Sequence, residues 1–294
     1  MSNHKLFNEK LSPSQKRLFN LYRPFENYLP FRFLYLCFIS FFYDKETRNQ
    51  AFSKTFFAEN KDRVRAVVNV LADQKSKKTY LSMIKFRQET HIKNFPLFQF
   101  VSHRKLYFFK DFKFDKDEVF INCGASDWDI KKFIKRCPEY RQIIAFQPLT
   151  TVYEGLRNDF KDDHKITTFN ACVYDTEGDI PFFEAGSSSK VSVPNDTEKT
   201  TNTTTKPSKT IDGLGLERVS YIKMDIEGSE LNALKGAEKT LLRDKPKLAI
   251  CLYHSDEDMI SIIEYLHSLV PEYRLYVRQH CSINTDTVLY ALSP

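Results

Sequence analysis

From about residue 118 onward the chain repeats one pattern: a short apolar run of strand length, a sharp break, then apolar residues at helical spacing. VFINC (119–123) stops at Gly124, QIIAFQ (142–147) at Pro148, VSYIKMD (219–225) at Ile226-Glu227-Gly228, and KLAICLY (247–253) at His254. Helical patterns follow: Asp129 to Arg136, and Thr150 to Phe160 with Val152, Leu156 and Phe160 on one face. Two more are 229–244, interrupted near Gly236, and Asp256 to Leu269 with Ile260, Ile263 and Leu266 inward. Strands alternating with helices imply a mostly parallel sheet covered on both faces. The predicted class is therefore α/β, a doubly wound Rossmann-like sheet. Such sheets take ligands at the carboxyl ends of their strands, where strand order reverses.

The remaining runs complete the expectation. ITTFNACVY (166–174) reads as the third strand, and IPFFEA (180–185) as its hairpin partner after Glu177-Gly178. RLYVRQ (274–279) and TVLYAL (287–292) are the last strands. Residues 186–210 are polar and threonine-rich, which predicts a loop or irregular edge structure, with a substrate lid as its functional reading. Upstream, Val64, Val67, Val68 and Leu71 recur at helical spacing, and a second helix after Ser76 is predicted to use Leu81, Ile84 and Gln88 on one side. The expected division is a helical N-terminal region over 1–112 and an α/β domain over 113–294.

Composition limits the functional classes. A net charge of +6 mildly favours an anionic partner without demanding nucleic acid. None of the six cysteines forms a C-x-x-C pair, and no Cys/His run has zinc spacing. Reduced thiols and a polar opening, MSNHKLFNEKLSPSQKR, give the expectation of a cytoplasmic protein. Phe31 to Tyr43 (FRFLYLCFISFFY) is too short to span a bilayer and carries Arg32. It reads as a buried core segment, with peripheral membrane attachment as the rival.

Four places offer chemistry. Asn122-Cys123-Gly124-Ala125-Ser126-Asp127-Trp128-Asp129 ends a strand in small residues and enters a helix, so backbone N–H groups are free for a ligand. It is not G-x-G-x-x-G, so the dinucleotide fingerprint is absent. Gln147 ends the second strand, where a ribose would be held, and its amide accepts one hydrogen bond and donates another. Asp225 and Glu227 leave the end of a central strand before Gly228. The bland reading is a helix N-cap pair; the functional one is an acidic site. His254 ends the next strand and is the natural general base near neutral pH, against a capping loop histidine. No metal is assigned, the rival being Asp225, Glu227 and His254 as hard ligands.

The span TIDGLGLERVSYIKMDIEGSELNALKGAEKTLL (210–242) resembles the FkbM-type family of S-adenosylmethionine-dependent methyltransferases. It carries Thr-Ile-Asp, then Ile-Lys-x-Asp-Ile-Glu-Gly-x-Glu, then Leu-x-Gly-Ala. KPKLAICLYH (245–254), LYVRQH (275–280) and the leader LADQKSKKTYLSMIKFR (71–87) are similar to further parts of that family. The resemblance implies a class I methyltransferase sheet with the last strand antiparallel, and S-adenosylmethionine as cofactor. It also implies O-methylation of a carbohydrate or related small polar acceptor, in surface-glycan or natural-product biosynthesis. Asn122, Gly124, Ala125, Asp127, Gln147 and Asp225 would hold the cofactor, with His254 as the catalytic base and Asp225 or Glu227 as its rival or orienting partner. Asn122, Trp128 and Gln147 stand where the family has an acid, Gly and Glu, which motivates the alternative of a binding or scaffold module that has lost its cofactor. The expected partner is a small-molecule or glycan acceptor, not nucleic acid, since the Asn/Asp-Pro-Pro-aromatic tetrad of amino-nitrogen methylation is missing. Self-association is left open.

Overall fold

The computed structural model describes residues 53, 55–89, 105–184, 189–191, 203–280 and 286–293. Phe31 to Tyr43 lies outside the described residues. Among those residues no helix is long and apolar enough to cross a membrane.

Three helices come first: α1 (Phe56–Glu59), α2 (Lys61–Val70) and α3 (Gln74–Glu89). The α/β part then runs β1 (Val119–Cys123), α4 (Asp127–Arg136), β2 (Gln142–Phe146), α5 (Thr150–Phe160) and β3 (Ile166–Phe169). Four short strands follow: β4 (Cys172–Val173), β5 (Gly178–Phe183), β6 (Lys190–Val191) and β7 (Thr203–Lys209). The chain closes with β8 (Tyr221–Met224), α6 (Glu230–Lys235), α7 (Glu238–Asp244), β9 (Lys247–Cys251), α8 (Asp258–Leu269), β10 (Arg274–Gln279) and β11 (Thr287–Leu292).

The main sheet has seven strands in the order β10-β11-β9-β8-β1-β2-β3. All neighbours are parallel except β11, which runs antiparallel to both β9 and β10. The chain winds from β1 outward through β2 to β3, then returns to β8 on the other side of β1. The crevice between β1 and β8 is thus where strand order reverses, the usual ligand position in such sheets.

Period-2 alternation explains why both faces of these strands are buried. Ile121, Cys123, Ile222, Met224, Leu248 and Ile250 face one cluster with Met259, Ile260, Ile263 and Leu266 of α8. Phe120, Tyr221, Ala249 and Tyr290 face an aromatic cluster with Phe108, Phe112 and Phe133. Phe120 stacks on Tyr221 with centroids 4.6 Å apart. Helix α4 starts sharply because Ser126 and Asp129 form a reciprocal capping box. The predicted interruption at Gly236 separates α6 from α7; a Cβ there would lie 2.2 Å from the Tyr174 carbonyl oxygen.

The N-terminal helices share the first of these clusters, through Phe57, Val67, Leu71, Tyr80, Met83 and Ile84. Ala72 donates its N–H to the Leu275 carbonyl at 2.8 Å, joining the sheet edge at β10. Buried Arg278 on β10 pairs with Asp73 at 2.6 Å.

Three expectations are corrected. The run 166–174 is not one strand: it breaks into β3 in the main sheet and β4 in a separate four-stranded sheet, β4-β7-β5-β6. The segment after Glu177-Gly178 does not form a hairpin with it, because β5 pairs antiparallel with β7, from Gly178↔Ser208 to Phe183↔Thr203. Within 186–210, Lys190–Val191 and Thr203–Lys209 are strands of this second sheet. Threonine's β-branch suits strands, and mostly exposed β5 and β7 need no apolar alternation. The third correction is Leu81, which is exposed, while Tyr80, Met83, Ile84 and Arg87 form the inward face of α3.

Candidate active site

The turn after β1 is shaped by contact with the turn after β8. Gly124 has φ +73°, and a Cβ on it would fall 1.9 Å from the Asp225 carbonyl oxygen, so only glycine allows the two strand ends to approach. The Gly124 and Ala125 N–H groups both donate to the Phe146 carbonyl, at 3.1 and 2.9 Å. Gln147 bridges this turn: its Nε2 donates to the Ala125 carbonyl at 3.1 Å, and its Oε1 accepts from Leu149 N at 3.0 Å. Asn122 is fully buried, and neither its amide nitrogen nor its oxygen has a hydrogen-bond partner among the described residues.

The acids near this turn point different ways. Asp127 pairs with Lys131 at 3.0 Å on the exposed side of α4. Asp129 is buried and lies 3.3 Å from Lys223, whose Nζ also donates to the Gly124 carbonyl at 2.8 Å. Burial works against the Lys223 charge, but Asp129 and Asp225 outweigh it and raise its pKa. Trp128 is 38% exposed, and the Lys132 ammonium sits 3.5 Å from the centre of its ring. Burial, helped by Arg136 and opposed by Asp129, pushes Lys132 down to about 7.

At the ends of β8 and β9 the structure gathers Asp225, Glu227 and His254. His254 Nε2 lies 3.3 Å from Asp225 Oδ1 and 3.7 Å from Glu227 Oε2, and Nδ1 lies 3.0 Å from Glu230 Oε1. None of these is aligned as a hydrogen bond, so both ring nitrogens are buried without an aligned partner among the described residues, and the ring packs on Tyr253 with centroids 4.2 Å apart. Burial disfavours a charged ring, yet Glu230, Asp225 and Glu227 together raise the His254 pKa well above its ordinary value. Burial would likewise raise Asp225, but His254, Lys223 and Tyr107 hold it below the usual carboxylate range. Glu227 is raised, by burial first and by Asp225 and Glu230, against the pull of His254.

Four residues that position this cluster had no assigned role in the sequence reading. Tyr107 Oη donates to Asp225 Oδ2 at 2.7 Å, and Tyr253 Oη to Asp225 Oδ1 at 2.8 Å. Glu230 is fully buried and accepts the N–H groups of Ile226 at 2.8 Å and Gly228 at 3.0 Å, locking the Asp225–Gly228 turn. Arg87 reaches from α3 and donates to the carbonyls of Tyr253 at 2.8 Å and Ser255 at 2.9 Å, clamping the chain on both sides of His254. Glu230 and Tyr253 adjoin recognisable motif residues and could have been found that way. Nothing local marks Tyr107 or Arg87.

The strand order, the antiparallel β11 and the crevice between β1 and β8 define a Rossmann-like fold of the class I methyltransferase type. Residues 118–280 match the Methyltransferase FkbM domain, which is more than half of the chain, and the chain belongs to that family. Its structure is similar to the methyltransferase FkbM from Methylobacillus flagellatus KT, with 25% identity and a TM-score of 0.68. That likeness covers 81% of this chain but 60% of the other, so the chain spans less than two thirds of that relative's length. An rRNA methylase from Streptococcus thermophilus is similar at 14% identity and TM-score 0.39, over 60% of this chain and 87% of that one. Aeropyrum pernix fibrillarin with natively bound S-adenosyl-L-methionine is similar at 9% and 0.37, over 64% and 71%. No curated protein matches the chain in sequence.

Proposed function

We propose that the chain is an S-adenosylmethionine-dependent O-methyltransferase acting on a hydroxyl of a carbohydrate or related small polar acceptor, in surface-glycan or natural-product biosynthesis. The observation that carries this reading is the contact of the Gly124 turn with Asp225. A nucleoside seated on that turn and an acceptor seated at Asp225 would be neighbours in one crevice.

The residues present fit the cofactor on one ground in particular. Asn122 is a buried amide with both polar atoms unpaired among the described residues, able to accept from an ammonium and donate to a carboxylate. With it, the Gly124-Ala125 turn and Gln147 would hold the cofactor, Gln147 having one further donor and lone pair for ribose hydroxyls. Relative to carboxylates at 122 and 147, each lost charged hydrogen bond weakens binding by about 1–3 kcal/mol. When bound, S-adenosylmethionine supplies a methyl group made electrophilic by a sulfonium. The chain's task is to align an acceptor oxygen, keep water out and accommodate the hydroxyl proton. Asp225, Glu227 and His254 form the acceptor-facing set that does this.

One observation favours the rival reading of a binding or scaffold module: the Gln147 amide is already engaged at both ends by Ala125 and Leu149. Calorimetric titration with S-adenosylhomocysteine separates the two. Saturable binding, with labelled methyl passing from S-adenosylmethionine to a sugar or polyol hydroxyl, is expected. No heat at millimolar nucleoside would leave only the module.

A further inference from the structure

We propose that Asp225, Glu227 and His254 bind a divalent cation of the Mn2+ type through two carboxylate oxygens and one imidazole nitrogen. One ligand atom from each lies within 4.8 Å of the others. Around a cation with bonds of about 2.1 Å, neighbouring ligand atoms stand roughly 3.0–3.4 Å apart. The separations from His254 Nε2, 3.3 Å to Asp225 and 3.7 Å to Glu227, require only a small contraction.

Two further observations point to a ligand. The His254 side chain is 7% exposed, and neither ring nitrogen has an aligned hydrogen-bond partner among the described residues. A buried imidazole aimed at two carboxylates without an aligned partner is a nitrogen donor available to a cation. Three carboxylates, Asp225, Glu227 and Glu230, also converge on one imidazole, while Lys223 is shared with Asp129.

The neighbours have the arrangement that metal sites use to fix their ligands. A histidine bound through Nε2 ordinarily presents Nδ1–H to a second carboxylate. Here Glu230 faces Nδ1 at 3.0 Å and is itself pinned by the Ile226 and Gly228 N–H groups. Tyr107 and Tyr253 donate to Asp225 in the same supporting way. Two hard oxygens with one imidazole suit Mn2+ better than Ca2+ or Mg2+, which prefer oxygen alone. Three protein ligands leave positions open, so the cation would take an oxygen of the acceptor as a further ligand. This last point rests on the methyl-transfer reading; the cation site itself does not.

Electron paramagnetic resonance of tag-free full-length protein titrated with Mn2+ tests the site. We expect one saturable Mn2+ per chain, with spin-echo modulation from one 14N that disappears in His254→Gln. Glu227→Gln should weaken binding at least tenfold. Glu230→Gln, which removes no ligand, should weaken it about 10- to 100-fold. Glu227 is 33% exposed, so its amide variant folds even where a His254 variant fails, and it decides the matter alone if need be. No saturable binding of Mn2+ at millimolar concentration, or binding unchanged in Glu227→Gln, overturns the proposal. S-adenosylhomocysteine calorimetry on the same samples keeps the readings apart: nucleoside without cation sinks this proposal, and cation without nucleoside sinks the methyl-transfer reading.

Discussion

Tyr107 donates its hydroxyl to Asp225 across 2.7 Å, tying the segment ahead of the sheet to the carboxylate at the end of β8. The tie is two-way, because the Tyr221 hydroxyl, from the strand that carries Asp225, donates back to the Tyr107 carbonyl. A hydrogen bond to a charged group is worth about 1.5–3 kcal/mol. Tyr107→Phe keeps the buried ring and removes only that donor. Turnover should fall roughly tenfold or more, with circular dichroism unchanged. Full activity per folded molecule would show that Asp225 needs no such anchor.

Arg87 makes the equivalent tie for His254. Its guanidinium is buried and spans Tyr253 O, Ser255 O and Asp256 Oδ1, a planar fork that lysine cannot reproduce. Arg87→Lys should keep the charge yet loosen the chain around His254. The expected result is a turnover number down about tenfold, with KM for S-adenosylmethionine unchanged, since the nucleoside would sit at the β1 side. A purely structural role would instead lower the melting temperature and leave both constants unaltered per folded molecule.

Asp73 supplies a pH-dependent brace between α3 and the sheet edge. Burial pushes its carboxyl up, but Arg278 and Ser76 outweigh that and hold it below its ordinary value of 3.8. A depressed carboxylate contributes stability that is fully present above its unfolded pKa and is lost as pH falls through the folded value. Asp73→Asn should therefore destabilise the chain at pH 7. The cost should be about 2 kcal/mol, below the roughly 3–5 kcal/mol of a fully buried pair, because Asp73 is 36% exposed. Urea unfolding at a series of pH values should show the gap between wild type and variant narrowing below about pH 4. A gap that stays constant would mean that Arg278 gains nothing from the charge of Asp73.

What the sequence made legible follows from which forces act locally. VFINC, QIIAF, YIKM and KLAIC are apolar because both their faces are covered, and that signal survives in the bare sequence. Thr203 to Lys209 carries no such signal: it is held as a strand by pairing with β5, a contact distant in sequence, and its composition is that of a loop. The same limit applies at the site. Asp225, Glu227 and His254 stand at strand ends, where α/β topology forces side chains toward the crevice. Tyr107 lies 118 residues from Asp225, and Arg87 lies 166 residues from Tyr253. Only the folded chain joins these pairs.

Asn122 offers a prediction in which stability and binding move in opposite directions. Its side chain is fully buried on β1, between Ala145 of β2 and Lys223 of β8, with neither amide atom paired among the described residues. An unsatisfied buried polar group costs about 1–3 kcal/mol, so Asn122→Leu, of similar volume, should stabilise the cofactor-free chain by about 1 kcal/mol. The same change removes the donor and acceptor proposed for the amino-acid end of the nucleoside. S-adenosylhomocysteine affinity should then drop at least tenfold, or about 1.4 kcal/mol. Thermal unfolding with and without S-adenosylhomocysteine reads both effects in one experiment: the variant should melt higher alone and gain less from the ligand. A variant that melts higher and gains as much as wild type would show that the amide is sealed within the core and has no part in binding.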